Sequence, residues 1–335
     1  MHDTTIQLVA PILDAYSLER PYNACLITSG NLHKTYDIKT HAARFILQRI
    51  SPVFSPQTNL DSHAIGMFLN AHGITTPTLL KTKHDLFWHT DADGFCWRLM
   101  NYIEGIVYNC APSAHVCYEA ARLVGRFHTV TENYHPTFHA HRLGVHDTEK
   151  HMQHLHDALP AHTHHVAYAK LLPLASAILN TYATLPKLPP ETPRLVHGDL
   201  KLNNLVFSEE QTAVALIDLD TFAEMPLLLE LGDALRSWCN PGSEDIENSQ
   251  FDRAYFDAAM HGYLETSPKI VHNHVFCENI LLAVRTIALE LAARFARDTL
   301  EESYFGFNQE RYEYAWQHHI ARARGQFSLM QSIQC

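Results

Sequence analysis

The chain has 335 residues, of which 46% are apolar and 18% are charged, a profile typical of a folded globular protein with enough length for two packed domains. Its formal net charge of −11 argues against a nucleic-acid partner, because phosphate backbones attract basic surfaces. It contains no run of about 18 apolar residues that could span a membrane, and its first residues lack the basic and apolar regions of a secretory signal. The sequence therefore predicts a cytoplasmic protein with neither a membrane nor a nucleic acid as its partner.

The cysteines and histidines indicate whether the chain has disulfides or a metal site. The seven cysteines are scattered and form no C-x-x-C pair, which is typical of reduced thiols rather than of disulfides or a zinc site. Histidine is unusually frequent, with 25 in all and ten of them between His135 and His165. The spacing in this histidine-rich tract (135–165) is irregular, and no cysteine or paired carboxylate supports it as a metal site. We therefore favour a solvated helical surface over a metal-binding tract.

The first part of the chain is predicted to form strands and one helix. NACLITSG and KTYDIKT flank a polar turn and indicate a hairpin, and RFILQRI indicates a third strand. Ser55 and Pro56 suit the N-cap and first turn of a helix, which continues with Leu60 and Met67 at helical spacing. LFWHT, the turn DADG and FCWRLMNYI then predict a second hairpin.

After Tyr102 the pattern changes to helices. Apolar residues recur at helical spacing in SAHVCYEAARLVGRFHTV, in HVAYAKLLPLASAILNTYATL and in ENILLAVRTIALELAARFARD. We therefore predict an α+β fold with two lobes. A small antiparallel β-sheet lobe with one helix takes residues 1–103 and binds the nucleotide. A larger, mostly helical lobe takes residues 104–335 and carries catalysis and acceptor binding.

The stretch LVHGDLKLNNLVF, residues 195–207, interrupts an apolar strand with a polar loop. A hairpin from NLVF through SEEQT to VALI would return the chain, so that Asp218 comes near Asn204. The oxygens of these two side chains suit Mg²⁺, a hard cation that takes its other ligands from phosphates and water. Asp199 is then left to accept a hydroxyl proton, and Lys201 is placed to neutralise the oxygens of the γ-phosphate.

Each of these residues alone has a simpler explanation, since an isolated Asp or Asn-Asn pair is more often a turn or cap. The joint pattern H-x-D-x-x-x-x-N, with a further Asp nineteen positions after Asp199, is that of phosphoryl transfer in kinases. It predicts a protein-kinase-like fold, ATP as the phosphoryl donor and Mg²⁺ as the cofactor. A nucleotide-binding pseudokinase scaffold is the alternative, and the presence of all three site residues argues against it.

On the motif H-G-D-x-x-x-x-N followed by I-D-x-x, the chain resembles the aminoglycoside phosphotransferase and choline kinase superfamily. It has DLD where protein kinases have DFG and lacks a VAIK strand, and both differences favour a small-molecule kinase. YDIKTHAARFILQRISPVFSPQTNL, LGDALR, ARFARDTLEESYF and ARARGQFSLMQSI further resemble the N-acetylhexosamine 1-kinase-like group. The resemblance covers about residues 20–333.

The resemblance implies that the N-terminal lobe holds the nucleotide through a phosphate-covering turn, a cation on the third strand and the backbone of a hinge. Strand alternation allows only one of Gln48 and Arg49 to face the cleft. We choose Arg49 because a cation is needed, with a solvent-facing arginine as the alternative. The helix partner of this cation is expected to be acidic. The predicted nucleotide-binding residues are Ser29, Gly30, Arg49, Asp61, Asn101, Tyr102 and Ile103.

For the acceptor, the resemblance implies a small-molecule sugar, phosphorylated at the anomeric hydroxyl of an N-acetylhexosamine, and no protein partner is evident. The matching residues are Asp199, Arg294 and Tyr304. A helical pair with Glu290, four residues earlier, is the alternative explanation for Arg294. A cationic acceptor such as choline or an aminoglycoside is the alternative substrate, and Glu301-Glu302 and the stretch SEDIEN could supply the carboxylates that it needs.

Overall fold

The computed structural model describes residues 2–18, 20–27, 33–140 and 146–334. The chain forms two compact units. The first comprises Met1–Gly105, His135–His141 and Val214–Phe222, and the second comprises Ile106–Tyr134, Arg142–Ala213 and Ala223–Cys335. The first long segment ends close to the predicted boundary at residue 103, but two later segments also belong to the first unit.

The first unit is built on an antiparallel sheet that follows helix α1 (His2–Leu13). Its strands are β1 (Tyr22–Ile27), β2 (Lys34–Thr40), β3 (Arg44–Arg49), β4 (Leu79–Leu80), β5 (His89–Thr90) and β6 (Cys96–Asn101). The strand order is β1-β2-β3-β6-β4, and β5 pairs with β6. Both predicted hairpins are therefore present.

One face of this sheet packs against α1. Val9 and Leu13 of the helix form a buried apolar cluster with Tyr36, Leu47 and Trp97 of the strands. Successive side chains along a strand point to opposite faces, so the residues that alternate with these face away from α1. The opposite face of the sheet is therefore the one that remains for polar groups.

Helix α2 (Thr58–Ala71) follows β3 and begins close to the predicted start. Ile65 and Leu69 are buried, whereas Met67 on the predicted apolar stripe is 50% exposed. The later segment Val214–Phe222 packs on this helix, and the added Cβ of an alanine at Gly66 would lie 3.4 Å from a methyl group of Leu219. This distance is an ordinary van der Waals contact, whereas the same Cβ would lie only 3.1 Å from Oγ1 of Thr76.

The second unit consists mainly of helices. They are α3 (Ala114–Val130), α4 (Thr148–Ala161), α5 (Tyr168–Thr184), α6 (Leu227–Trp238), α7 (Arg253–Thr266), α8 (His274–Glu301) and α9 (Ala315–Ser332). Helix α8 lies at the centre and packs against α4, α5, α6 and α9. Helices α3 and α7 approach so closely that a Cβ at Gly262 would lie 2.2 Å from the carbonyl oxygen of Tyr118.

Short strands flank the predicted catalytic loop. They are β7 (Arg194–Val196), β8 (Leu205–Phe207), β9 (Ala213–Leu216) and β10 (Ala223–Met225). Strands β7 and β10 pair, and β8 and β9 form the predicted hairpin, whose turn is closed by a hydrogen bond from Ser208 N–H to the Thr212 carbonyl oxygen. This architecture confirms the predicted α+β fold class. Within the described residues, no helix is long and apolar enough to cross a membrane.

Candidate active site

The polar loop between β7 and β8 is held by its backbone. Oε1 of Glu230, on α6, accepts hydrogen bonds from the N–H groups of His197 (2.6 Å) and Gly198 (2.8 Å). The other carboxylate oxygen lies 2.6 Å from Nε2 of the buried His128, on α3. Gly198 has a φ of 81°, a left-handed conformation that glycine adopts without strain. A buried carboxylate therefore fixes the loop directly before Asp199.

Asp199, Lys201 and Asn204 contact one another within this loop. Oδ2 of Asp199 accepts hydrogen bonds from Nζ of Lys201 (2.7 Å) and from Nδ2 of Asn204 (3.0 Å). Nδ2 of Asn204 also donates to the main-chain oxygen of Asp199, at 2.7 Å. In the described parts of the chain no group donates to Oδ1 of Asp199, so this oxygen is available to a hydroxyl group.

The amide of Asn204 is oriented by these contacts. Because both hydrogens of its nitrogen are used by Asp199, its carbonyl oxygen Oδ1 remains as the group that could bind a cation. A further anchor holds the same loop, since Nε1 of the buried Trp238 donates to the main-chain oxygen of Leu200 at 2.6 Å. The loop is thus fixed at residues on both sides of Asp199.

In the first unit, Asp218 lies at the end of β9 in a left-handed backbone conformation (φ 62°, ψ 63°). A short 3₁₀ helix, Leu219–Thr221, follows and buries Asp220. The guanidinium of Arg98 donates to both carboxylate oxygens of Asp220, at 2.5 and 2.8 Å. Burial would raise the pKa of the Asp220 carboxyl, but the charge of Arg98 and the hydrogen bond with His33 outweigh it and hold this pKa below its ordinary value.

The metal-ligating atoms of His33, Asp218 and Asp220 all lie within 4.8 Å of one another. His33 and Asp220 also contact other protein groups. Nδ1 of His33 accepts a hydrogen bond from the N–H of Ser51, so the ring proton is on Nε2, which faces Asp220 at 3.0 Å. Asp220 in turn binds Arg98. The Asp218 carboxylate offers oxygens of the kind that Mg²⁺ prefers, and the neighbouring Asp220 is held in its ion pair with Arg98.

The predicted cation Arg49 lies on the α1 side of the sheet. Its guanidinium is 4.2 Å from the centroid of the Phe95 ring. The adjacent Gln48 points to the opposite face, where its Oε1 accepts two hydrogen bonds from Arg98. Arg98, rather than Arg49, is thus the arginine that the structure places beside Asp220. Ser29 and Gly30 lie outside the described residues.

The other predicted nucleotide residues have defined partners. The Asp61 carboxylate accepts hydrogen bonds from the N–H groups of His139 (2.7 Å) and Ala140 (2.9 Å), so it ties the segment His135–His141 to α2. The α2 residue that contacts Arg98 is Asn59, at 3.5 Å.

The hinge residues are partly used by the sheet. The N–H of Asn101 donates to Thr78 and that of Tyr102 to Arg44. In the described structure, Ile103 is the hinge residue whose N–H has no such partner.

At the predicted acceptor site, Arg294 contacts both Glu290, its alternative partner, and Tyr304, the other predicted acceptor ligand. Its Nη1 lies 3.9 Å from Glu290 at the i, i+4 spacing, and its guanidinium lies 5.6 Å from the centroid of the Tyr304 ring. The buried Asp298 carboxylate accepts hydrogen bonds from the N–H groups of Ser303, Tyr304 and Phe305. This carboxylate thus holds the loop that carries Tyr304 against the end of α8.

The histidine-rich tract is not simply a solvated surface. His146 and His151 face the buried Glu290, at 3.0 and 4.0 Å. His154 contacts Arg297, whereas the side chain of His156 is 69% exposed. Within the described residues, the one group of side chains arranged for a metal ion is the His33 cluster, outside this tract. Part of the tract therefore belongs to a buried polar network around Glu290.

The model of the phosphotransferase enzyme family matches residues 23–267, well over half of the chain. The chain belongs to the phosphotransferase enzyme family. This confirms the superfamily that the motif H-G-D-x-x-x-x-N predicted, while the N-acetylhexosamine 1-kinase-like group stays a prediction.

Three solved structures resemble this phosphotransferase. An amicoumacin kinase in complex with AMP-PNP, Ca²⁺ and Ami has 12% identity and a TM-score of 0.66, over 96% of this chain and 92% of the other. An aminoglycoside phosphotransferase from Alicyclobacillus acidocaldarius has 14% identity and a TM-score of 0.60, over 97% and 94%. A choline kinase from Cryptosporidium parvum has 13% identity and a TM-score of 0.58, over 94% of each chain. These likenesses confirm the protein-kinase-like fold.

Sequence reasoning missed the residues that support the site of this phosphotransferase. Arg98 lies in the apolar stretch FCWRLM and Glu230 in LLLEL, and both are buried. A charged side chain in an apolar element is costly to bury unless it is paired. The sequence could therefore have indicated that both residues have buried partners. It could not have identified those partners, because Asp220 and the loop backbone are distant in the sequence.

Proposed function

We propose that this phosphotransferase is an ATP-dependent kinase that transfers the γ-phosphoryl group to a hydroxyl of a small molecule. Asp199 orients the acceptor hydroxyl and takes its proton, and Lys201 neutralises phosphate oxygens. The observation that carries the proposal is the fixed position of Asp199, with Oδ2 bound to Lys201 and Asn204 and with Oδ1 available. A loose phosphoryl-transfer transition state needs this kind of positioning and charge neutralisation more than covalent help.

For the cofactor, we propose that Asn204 and Asp218 are the protein ligands of Mg²⁺. The amide orientation of Asn204 and the carboxylate of Asp218 supply oxygen ligands, which this cation prefers. When bound, the ion would neutralise charge on the transferring phosphate. Asp220 supports Asp218 from the next turn, because its ion pair with Arg98 fixes the 3₁₀ helix that follows Asp218.

For the nucleotide, we keep Ser29, Gly30, Arg49, Asp61 and the hinge 101–103 as the proposed contacts. The N–H of Ile103 is the hinge donor that we assign to adenine, because those of Asn101 and Tyr102 donate within the sheet. Arg49 would reach phosphates only after leaving the ring of Phe95. Arg98 is assigned to Asp220 rather than to the nucleotide, since its guanidinium is already bidentate to that carboxylate.

For the acceptor, we propose a sugar, phosphorylated at the anomeric hydroxyl of an N-acetylhexosamine, with Arg294 and Tyr304 as ligands. The carboxylates that a cationic acceptor would need already contact basic side chains of the protein itself. These pairs are Glu301 with Arg297, Glu302 with His165, Glu244 with Arg236 and Arg322, and Asp245 with His318. They support a sugar over choline or an aminoglycoside.

We also place the reaction in the cytoplasm. Cys117 and Cys239 are free thiols at buried positions, and Cys277 is a free thiol at an exposed one. Reduced thiols are typical of compartments with a reducing environment. This observation supports the cytoplasmic location that the sequence predicts.

Incubation with Mg·ATP and separate acceptors is expected to yield a sugar phosphate. The acceptors are N-acetylhexosamines, hexoses, choline and an aminoglycoside, and ³¹P NMR distinguishes an anomeric phosphate from a 6-phosphate or a phosphocholine. An anomeric phosphate of an N-acetylhexosamine is the expected product. A product from choline or the aminoglycoside alone would reject the sugar proposal but retain the kinase, and no acceptor-dependent product at all would reject both.

Arg294→Met is expected to raise KM for the sugar by about 10-fold or more, the effect of losing a hydrogen bond from a charged group. KM for ATP and the melting temperature should change little, since methionine keeps most of the apolar stem. Arg297→Met, one turn later on α8 and paired with Glu301, is the matched control and should leave both KM values unchanged. A lower melting temperature with an unchanged sugar KM would instead assign Arg294 to its ion pair with Glu290.

A further inference from the structure

His146 has a buried ring nitrogen that makes no hydrogen bond. Its side chain is 5% exposed, and its Nδ1 lies 3.0 Å from Oε1 of Glu290. The second ring nitrogen, Nε2, is buried and has no hydrogen-bond partner in the described parts of the chain. Buried polar groups in native proteins are nearly always paired, so an unpaired one needs a physical explanation.

The carboxylate that holds His146 also holds Arg294. Glu290 is 1% exposed, and its Oε1 is the oxygen nearest to both Nδ1 of His146 and Nη1 of Arg294, the latter at 3.9 Å. Its Oε2 accepts a hydrogen bond from Thr148 at 2.6 Å. His146 therefore lies in the same buried network as the arginine that we assign to the acceptor.

The ring of His146 cannot satisfy both of its nitrogens on Glu290. The two nitrogens point to different sides of an imidazole, so Nε2 is directed away from the oxygen that Nδ1 contacts. Burial by itself would lower the pKa of this histidine, but the hydrogen bond to Glu290 and the charges of Glu290 and Asp233 outweigh it and raise this pKa. A protonated imidazole carries N–H groups at both nitrogens, which makes Nε2 a donor in need of an oxygen.

We propose that Nε2 of His146 donates a hydrogen bond to an oxygen of the acceptor substrate, beside Arg294, and that the acceptor is an uncharged, oxygen-rich molecule. The inference rests on the proposed function, which makes Arg294 an acceptor ligand. A guanidinium and an imidazole N–H beside one carboxylate bind hydroxyl and carbonyl oxygens, and the guanidinium repels an ammonium group. His146 is therefore a specificity-determining residue that selects a sugar over a cationic acceptor.

Two substitutions separate this role from a purely structural one. In His146→Asn the amide nitrogen can replace Nδ1 and keep the hydrogen bond to Glu290, while the Nε2 group is lost. In His146→Gln the longer amide can reach the position of Nε2, while the bond to Glu290 is lost. His156→Asn is the matched control, because this histidine lies on α4 and its side chain is 69% exposed.

The measurements are KM and kcat with N-acetylglucosamine and with glucose, KM for ATP, and the melting temperature. We expect His146→Asn to raise the sugar KM by about 10-fold or more, with ATP KM and melting temperature near wild type. Compared with His146→Asn, His146→Gln should lower the melting temperature more and raise the sugar KM less. An unchanged sugar KM in His146→Asn, with loss of stability in His146→Gln, would overturn the inference and leave the proposed function intact.

The wild-type protein provides the second test. If it phosphorylates choline or an aminoglycoside and neither sugar, the inference and the sugar acceptor of the proposed function are both overturned. If calorimetry with Mg·ADP present detects no binding of either sugar, the inference and the sugar acceptor are again both overturned. Binding of a sugar to the wild type that weakens by about 10-fold in His146→Asn, but not in His156→Asn, supports the inference independently of turnover.

Discussion

Asp199→Asn is expected to lower kcat by about 10²–10⁴-fold, the usual contribution of a general base. Asparagine has the shape of aspartate, and its carbonyl oxygen can still accept the hydrogen bonds from Lys201 and Asn204. The loop should therefore keep its conformation, since Glu230 and Trp238 hold it through the backbone and not through Asp199. What is lost is the basic oxygen that takes the proton of the acceptor hydroxyl.

Steady-state kinetics and calorimetry test this prediction together. The affinity for Mg·ATP should stay within a few-fold of wild type, whereas kcat with the preferred acceptor should collapse. Asp257→Asn is the control, because Asp257 is an exposed carboxylate on α7 that pairs with Arg253. A variant that kept nearly full kcat with the preferred acceptor would remove Asp199 from the role of base.

The predictions that the structure confirms were based on sequence patterns within a few neighbouring residues. The catalytic loop was visible because five polar residues interrupt a short apolar strand, and α3 was visible because its apolar stripe repeats at helical spacing. Val116, Ala120 and Phe127 of that stripe are all buried. Asp93-Gly94 likewise marks a turn, in which Gly94 has a φ of 83°. Such features depend on neighbours within a few residues, which a sequence displays directly.

The contacts that support the site could not be predicted from such local patterns, because they join residues far apart in the sequence. Arg98 and Asp220 are separated by 122 positions, and His128 and Glu230 by 102. Helix α2 illustrates the same limit, since its apolar residue Met67 faces solvent. Its first turn instead buries polar side chains against Arg98 and Asp220, through Asn59 and Ser62. Apolar periodicity predicts the wrong face wherever a buried polar network replaces an apolar contact.

Asp218→Asn is expected to weaken Mg²⁺-dependent nucleotide binding by at least about 10–100-fold, the range seen when even an indirect partner of a bound metal is removed. Asparagine is the appropriate replacement because the backbone at Asp218 is left-handed, with a φ of 62°. Asn and Asp tolerate this conformation better than other non-glycine residues, so alanine would add strain to the loss of the ligand. The amide removes the negative charge but preserves the local backbone, and the melting temperature should change little.

Asp220→Asn, two residues later, provides the contrasting variant. Its carboxylate is 1% exposed and bound to Arg98, and breaking a buried pair leaves the arginine uncompensated at a cost of about 3–5 kcal/mol. We therefore expect Asp220→Asn to have a lower melting temperature than wild type. Asp218→Asn should instead lose affinity for Mg·ATP and keep a melting temperature near wild type. Calorimetry with ATP, with and without Mg²⁺, and thermal unfolding of both variants measure the two effects separately. Normal Mg·ATP affinity in Asp218→Asn would mean that this carboxylate does not bind the ion, since a direct ligand cannot lose its charge without weakening the metal-dependent component of binding.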